Sequence, residues 1–190
     1  TEAKDVIVKV SVFDTQTLTV VEMMNEQCRF DYRDSWFKHQ SKGRYIVLSV
    51  VFRLHKNCSS CSPADQRNEI IQTRSAQLPD VHVLGSAGSF FKNPIVTHEA
   101  YERLTSQIGD DRIPHFEQEG GIKIPAAWLI EQCGWKGRTL GGAQCYEKQP
   151  LVLVNANHAM PEDIINLAAT ICKDVKDRFG IDIHPEVNYI

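Results

Sequence analysis

The chain has 190 residues, 42% hydrophobic and 24% charged, the balance of an ordinary globular protein with room for one domain and part of another. Its formal net charge of -3 offers no basic field to a nucleic acid, and no apolar run approaches the ~20 residues that span a bilayer. Thr1-Glu2-Ala3-Lys4-Asp5 is polar and lacks the apolar stretch of a secretory signal; a first residue other than Met fits a crop of something longer or a removed tag. Six cysteines spread over a chain of this size fit a cytosolic protein with reduced thiols better than a disulfide framework.

In chain order, Val6 to Val12 has β-branched residues in partial alternation and predicts a strand. Asp14 to Thr17 reads as a turn, and Leu18 to Val21 as the returning strand. A polar, aromatic stretch follows from Cys28 to Lys38. Arg44 to Leu54 is the strongest strand signal, with an apolar middle that predicts burial on both faces. Pro63 and Asp65 open a helix running to about Arg74, with Ile70 and Ile71 toward a core, and Leu78-Pro79-Asp80 stops it. Glu99 to Ile108 predicts a short amphipathic helix. Pro125 starts another, which Gly134 ends. Leu151 to Asn155 is a short buried strand. The last helix is the clearest: Pro161 at its start, Glu162 and Asp163 at its positive end, an apolar stripe of Ile164, Leu167, Ala168, Ile171, Val175 and Phe179, and Gly180 as its stop. Ile181-Asp182-Ile183 would be a final strand. The cluster of polar residues between Phe37 and Lys42 suits a boundary.

The segment Gly85 to Pro94 is the most unusual. Its glycines allow tight turning and close approach of a ligand, Ser89 offers a hydroxyl, and Lys92 and Asn93 add a cation and an amide. That set suits a phosphorylated or sugar-containing ligand. It is neither a Walker loop nor a nucleophile elbow. On spacing alone the blander reading is a glycine-rich turn with buried phenylalanines. Arg33 beside Asp34 reads first as a surface ion pair, and Glu186 as a solvated carboxylate. Cys58 and Cys61 have metal or redox spacing, with His55 as a possible third ligand, but no fourth ligand follows, so no metal is expected. The other cysteines, Trp128, Phe90 and Phe91 read as core.

Six segments occur in order: Cys28 to Lys38, Leu78-Pro79-Asp80, Gly88 to Pro94, Ala127 to Gly134, Leu151 to Asn155, and Pro185-Glu186-Val187. Together they resemble the serine-type bacterial UDP-N-acetylenolpyruvoylglucosamine reductases of peptidoglycan synthesis over nearly the whole chain. The Ser-Phe-Phe-Lys-Asn-Pro and Tyr-Arg-Asp-Ser motifs are the specific ones. The resemblance implies an α+β fold in which residues 1–38 end a two-part flavin-binding domain and residues 39–190 form an α+β substrate-binding domain. It implies a cytoplasmic oxidoreductase of cell-wall biogenesis, and hence of cell shape and division, that uses NADPH and FAD to reduce UDP-N-acetylglucosamine enolpyruvate. The monomer is the expected state. By resemblance, Ser89 donates the proton, and Arg33 and Glu186 polarise the substrate carboxylate. Asn93, Gln149, Lys92 and the position of Gln77 meet the nucleotide-sugar, and Arg74 meets the flavin pyrophosphate. The glycine-rich flavin-phosphate loops of the family are absent, so the chain alone is expected not to hold FAD and to be inactive.

Four departures stand out. Gln77 replaces a lysine, Ser86 an asparagine, and Phe116 a tyrosine on the substrate side. The connection from Leu54 to Leu78 is short and lacks the tyrosine-bearing loop of serine-type members, by deletion or by omission. Gln77, Phe116 and the missing tyrosine favour an alternative, a non-catalytic nucleotide-sugar-binding domain. Ser89, Arg33 and Glu186 favour the enzyme, since a binder needs no proton donor.

Overall fold

A computed structural model describes residues 2–39, 41–54, 62–109, 113–118 and 120–189. They fall into two compact units, Thr1–Ser62 and Pro63–Ile190.

The first unit is an antiparallel sheet of three strands in the order β2-β1-β3, formed by β1 (Ile7–Asp14), β2 (Thr19–Met24) and β3 (Tyr45–Phe52). Alternation along β1 buries Val10 and Val12 against Met23 of β2 and Cys28 of α1 (Asn25–Cys28). The hairpin end is tied by Asp14, nearly fully buried, whose carboxylate takes a two-pronged contact from Arg44 at 2.6 and 3.0 Å and the Gln16 amide at 2.9 Å. The predicted hairpin is therefore present. The expectation for β3 is corrected: Ile46, Val47, Leu48, Val51 and Phe52 are all exposed rather than buried on two faces. Among the described residues β3 pairs only with β1, so it is an edge strand, and only residues such as Tyr45 and Val50 reach the core of this unit.

The second unit begins with α2 (Pro63–Gln77), a helix with no buried residue. Ile70 and Ile71 are 59% and 43% exposed, so the prediction that they face a core fails. Two adjacent large aliphatic side chains, in a helix otherwise of polar and small residues, make no stripe wide enough to dock it. One sheet has the order β4-β10-β9-β8, from β4 (Ser86–Ser89), β8 (Thr139–Leu140), β9 (Ala143–Cys145) and β10 (Val152–Asn155). A second joins β5 (Ile95–Val96), β7 (Gly121–Lys123) and β6 (Phe116–Gln118). Between these come α3 (His98–Ile108), capped by the Thr97 hydroxyl, and α4 (Ala126–Gln132). The closing helix α5 (Pro161–Phe179) has Pro161 in its first turn and Gly180 left-handed at its end, as the sequence predicts.

Leu167, Ile171 and Val175 of α5 are fully buried, together with Leu129, Ile130, Leu153 and Cys145. Phe90 and Phe91 are core, and Trp128 packs partly buried against it. Gly142 is required where it stands: a Cβ there would lie 2.5 Å from the Ala159 Cα and 2.7 Å from the Asn157 carbonyl oxygen. The final strand predicted over residues 181–183 is not formed. Ile181 and Ile183 are buried but extend along α5, where the Cys172 thiol donates to the Ile183 carbonyl and Lys176 reaches Asp182. Side-chain burial, not a strand ladder, fixes this segment.

Candidate functional site

The glycine-rich segment leads onto β4, which pairs with β10 through Ser89 opposite Val152 and Ser86 opposite Val154. Gly88, with φ +76°, permits the turn of the backbone just before Ser89, and its amide hydrogen bonds to the Ser86 hydroxyl. Ser89 is exposed at the end of β4.

At Phe90 the chain changes partners. Its N–H donates to the Leu151 carbonyl at 2.6 Å, and its own carbonyl accepts from the Glu186 N–H at 2.8 Å. Lys92 N–H donates to the His184 carbonyl at 2.9 Å, and Phe91 bridges Pro185. The structure thus brings the Ser89 and Glu186 segments side by side, anchored by two buried phenylalanine rings 5.3 Å apart. Glu186 is half-buried. Three of the six motif segments, those of Ser89, Leu151 and Glu186, meet here, although nothing in their local spacing announces it.

Asn93 follows. Its Oδ1 accepts the Ala126 amide at 2.9 Å, at the first turn of α4. The acceptor end of the side chain is therefore committed to the fold. Gln149 is half-buried, and its Oε1 leans back toward the Leu151 amide at 3.4 Å, a long contact. Lys92 is half-buried. Gln77 is exposed at the last residue of α2. Arg74, one turn earlier, lines a shallow recess of about 440 Å³ with Gln66, Glu69, Ile70 and Thr73. Phe116 is exposed on β6, with the Lys123 ammonium 5.8 Å from its ring.

Arg33 belongs to the first unit. It has φ +53°, the left-handed region, which costs an L-residue about 1–2 kcal/mol. Asp34 beside it is not a simple surface partner: its Oδ2 lies 2.6 Å from His39 Nε2. Lys38 donates to the Arg33 carbonyl at 2.8 Å. Neither Lys38 nor His39 stands out as a site residue in the sequence. An acid followed four and five residues later by a lysine and a histidine, across a short aromatic turn, was the available signal.

Burial pushes the Cys145 thiol up to about 12, and Cys28, Cys133 and Cys172 upward as well, so these free cysteines are packing residues. Cys58, Cys61 and His55 lie outside the described residues. Among the described residues no group of three or more side chains is arranged to hold a metal ion, and no helix is long and apolar enough to cross a membrane.

The family model described as "UDP-N-acetylenolpyruvoylglucosamine reductase, C-terminal domain" matches residues 79–190. The UDP-N-acetylenolpyruvoylglucosamine reductase of Neisseria gonorrhoeae is 40% identical over 209 residues, covering 100% of this chain and 60% of that protein. Those of Bdellovibrio bacteriovorus and Pasteurella multocida are 40% and 38% identical, covering 97% and 100% of this chain and 60% and 59% of theirs. The chain therefore spans about 60% of the length of these relatives. The crystal structure of the UDP-N-acetylenolpyruvylglucosamine reductase (MurB) from Thermus caldophilus superimposes with a TM-score of 0.61 at 22% identity, over 97% of this chain and 53% of that one, a likeness of fold.

Proposed function

We propose a function from one premise: the chain belongs to the family of UDP-N-acetylenolpyruvoylglucosamine reductase C-terminal domains. The chain is the substrate-binding and proton-donating part of a cytoplasmic reductase that converts UDP-N-acetylglucosamine enolpyruvate to UDP-N-acetylmuramate in peptidoglycan synthesis. We read residues 1–38 as the end of the flavin-binding domain and residues 39–190 as carrying the substrate-binding domain, with β3 paired back onto β1 within the first compact unit. The single observation that carries the reading is the junction at Phe90, which sets the Ser89 and Glu186 segments side by side on a buried core.

The chemistry required is hydride addition to the enolpyruvyl double bond and protonation of the neighbouring carbon. FAD, reduced by NADPH, supplies the hydride when bound. The residues present fit a flavin at one point: Arg74 is an exposed cation on α2, suited to a diphosphate. Ser89 delivers the proton from its hydroxyl. A hydroxyl is a weak acid, but it meets a carbanion-like centre, and positioned proton transfer is worth about a hundred- to ten-thousand-fold in rate. Arg33 and Glu186 polarise the carboxylate on which charge develops, an interaction stronger in the transition state than in the ground state. Lys92, Asn93 and Gln149 orient the nucleotide-sugar. Asn93 does so with its amide hydrogens, since its oxygen caps α4.

The test is substrate-dependent NADPH oxidation by the flavin-loaded full-length protein beside its Ser89→Ala variant. The expected result is turnover in the parent, and a variant that reduces flavin but stalls on the enolpyruvate. Equal turnover in both would remove Ser89 from its role.

The second reading is a non-catalytic nucleotide-sugar-binding domain. Exposed Gln77 and Phe116, in place of a lysine and a tyrosine, favour it. The parent binding the UDP-sugar without ever oxidising NADPH in response would select this reading.

A further inference from the structure

The turn that presents Arg33 is braced by groups the proposed reaction does not use. Asp31 and Asp34 exchange both backbone hydrogen bonds, at 3.0 and 3.1 Å, closing a four-residue turn with Tyr32 and Arg33 at its corner. Arg33 stands third, with the positive φ that such a turn reserves for glycine. Three side chains converge on this corner. Asp34 Oδ1 accepts the Ser35 amide at 2.8 Å, and its Oδ2 pairs with His39 Nε2 at 2.6 Å. Lys38 Nζ donates to the carbonyl of Arg33 itself. The brace has a footing. Lys38 ends a 3-10 turn, Trp36–Lys38, and the Trp36 and Phe37 rings lie 5.2 and 6.3 Å from the Tyr45 ring on β3.

We propose that Asp34, Lys38 and His39 are positioning residues for Arg33, holding its left-handed backbone so that the guanidinium is presented in one direction. The inference rests on the reading of Arg33 as the cation that meets the substrate carboxylate. A cation fixed beforehand needs no reorganisation as charge develops on its partner. Without the brace, the residue relaxes to the negative φ that an L-residue prefers, and the guanidinium swings away with it. Glycine would accept the turn without help, but it would bring no charge. An arginine there needs outside contacts to stay.

The experiment uses the flavin-loaded full-length protein. His39→Ala and Lys38→Met are each expected to lower kcat about tenfold or more while KM moves less than about threefold. His39→Gln, whose amide N–H still reaches Asp34, restores most of that loss. Hydrogen exchange of the Asp31 and Asp34 amides accelerates in the Ala and Met variants, while exchange along α5 stays unchanged and certifies the fold. Arg33→Met separates the two readings. If it leaves turnover intact, the assignment of Arg33 falls, and this inference with it. If it abolishes turnover while His39→Ala and Lys38→Met loosen the turn without touching kcat, positioning alone is overturned. Unchanged exchange at Asp31 and Asp34 in both variants also overturns it.

Discussion

Replacing Asn93 with alanine removes the acceptor for the Ala126 amide, 2.9 Å away at the start of α4. Ala126 is fully buried, so no water replaces the lost oxygen. Loss of a capping acceptor costs about 0.5–2 kcal/mol, and stranding a buried donor raises the total toward about 3 kcal/mol. With a urea m-value of about 2 kcal/mol per molar, a loss of about 1–3 kcal/mol lowers the unfolding midpoint by roughly 0.5–1.5 M at constant m. Asn93→Asp keeps the acceptor and places a negative charge at the positive end of a helix, so its midpoint should return to within about 0.5 M of the parent. That variant lacks the amide hydrogens assigned to the nucleotide-sugar, so its affinity should fall about tenfold although the fold is intact. Urea unfolding and calorimetric titration read the two effects separately. An Asn93→Ala midpoint equal to the parent's, or an Asn93→Asp variant as unstable as Asn93→Ala, would refute the capping argument.

The hydrogen-bonded Arg44 holds the Asp14 carboxyl well below the usual carboxylate range, so this contribution is present above the unfolded pKa of about 3.9 and is lost as pH falls through the lowered folded value. The melting temperature of the first unit should therefore drop below about pH 4, and Asp14→Asn should be less stable at neutral pH with a flatter acid limb. Gly142→Ala forces a Cβ against the Ala159 backbone and should cost about 1–3 kcal/mol or more in chemical denaturation, whereas Gly134→Ala meets no neighbouring atom and is strained only by its φ of +76°. Gln77→Lys should tighten binding of the UDP-sugar severalfold at low salt by restoring a cation for the diphosphate, as titration calorimetry would detect. Cys145, whose thiol burial pushes up to about 12, should resist alkylation at pH 8 until the second unit unfolds, as mass spectrometry of modified protein would reveal.

The hairpin of β1 and β2, and helix α5, are legible because each is specified by contacts close in sequence. Alternating Val10 and Val12, the Pro161 start and the Gly180 stop act within a few residues of themselves. The misreadings share a different cause. Apolar composition marks what can be buried, not what is. The run Ile46-Val47-Leu48 reads like an interior strand but borders the described sheet, and Ile70 and Ile71 meet no partner within α2. Residues 181–183 carry strand-like side chains, yet the backbone hydrogen bonds nearby are made by His184 and Glu186 with the Phe90 segment. The same non-local pairing explains the site. Ser89 and Glu186 come from family motifs rather than from spacing, because the hydrogen bonds uniting their segments join remote stretches of the second unit's chain. The capping role of Asn93 is hidden for a similar reason: which amide an asparagine caps depends on where α4 begins in space.

Phe90 has consequences for the serine in front of it. Its donor is spent on Leu151 and its acceptor on Glu186, so the peptides on both sides of Phe90 are tied, and the one that follows Ser89 cannot rotate without breaking its bond to Leu151. What freedom remains to Ser89 is mostly the torsion about its own Cα–Cβ bond, a choice among three staggered settings. On the proposed reading of Ser89 as the proton donor, alignment of the reacting carbon with that hydroxyl falls to the incoming sugar nucleotide. On that reading the protein acts as a fixed die, and the substrate is the part that must be turned to fit.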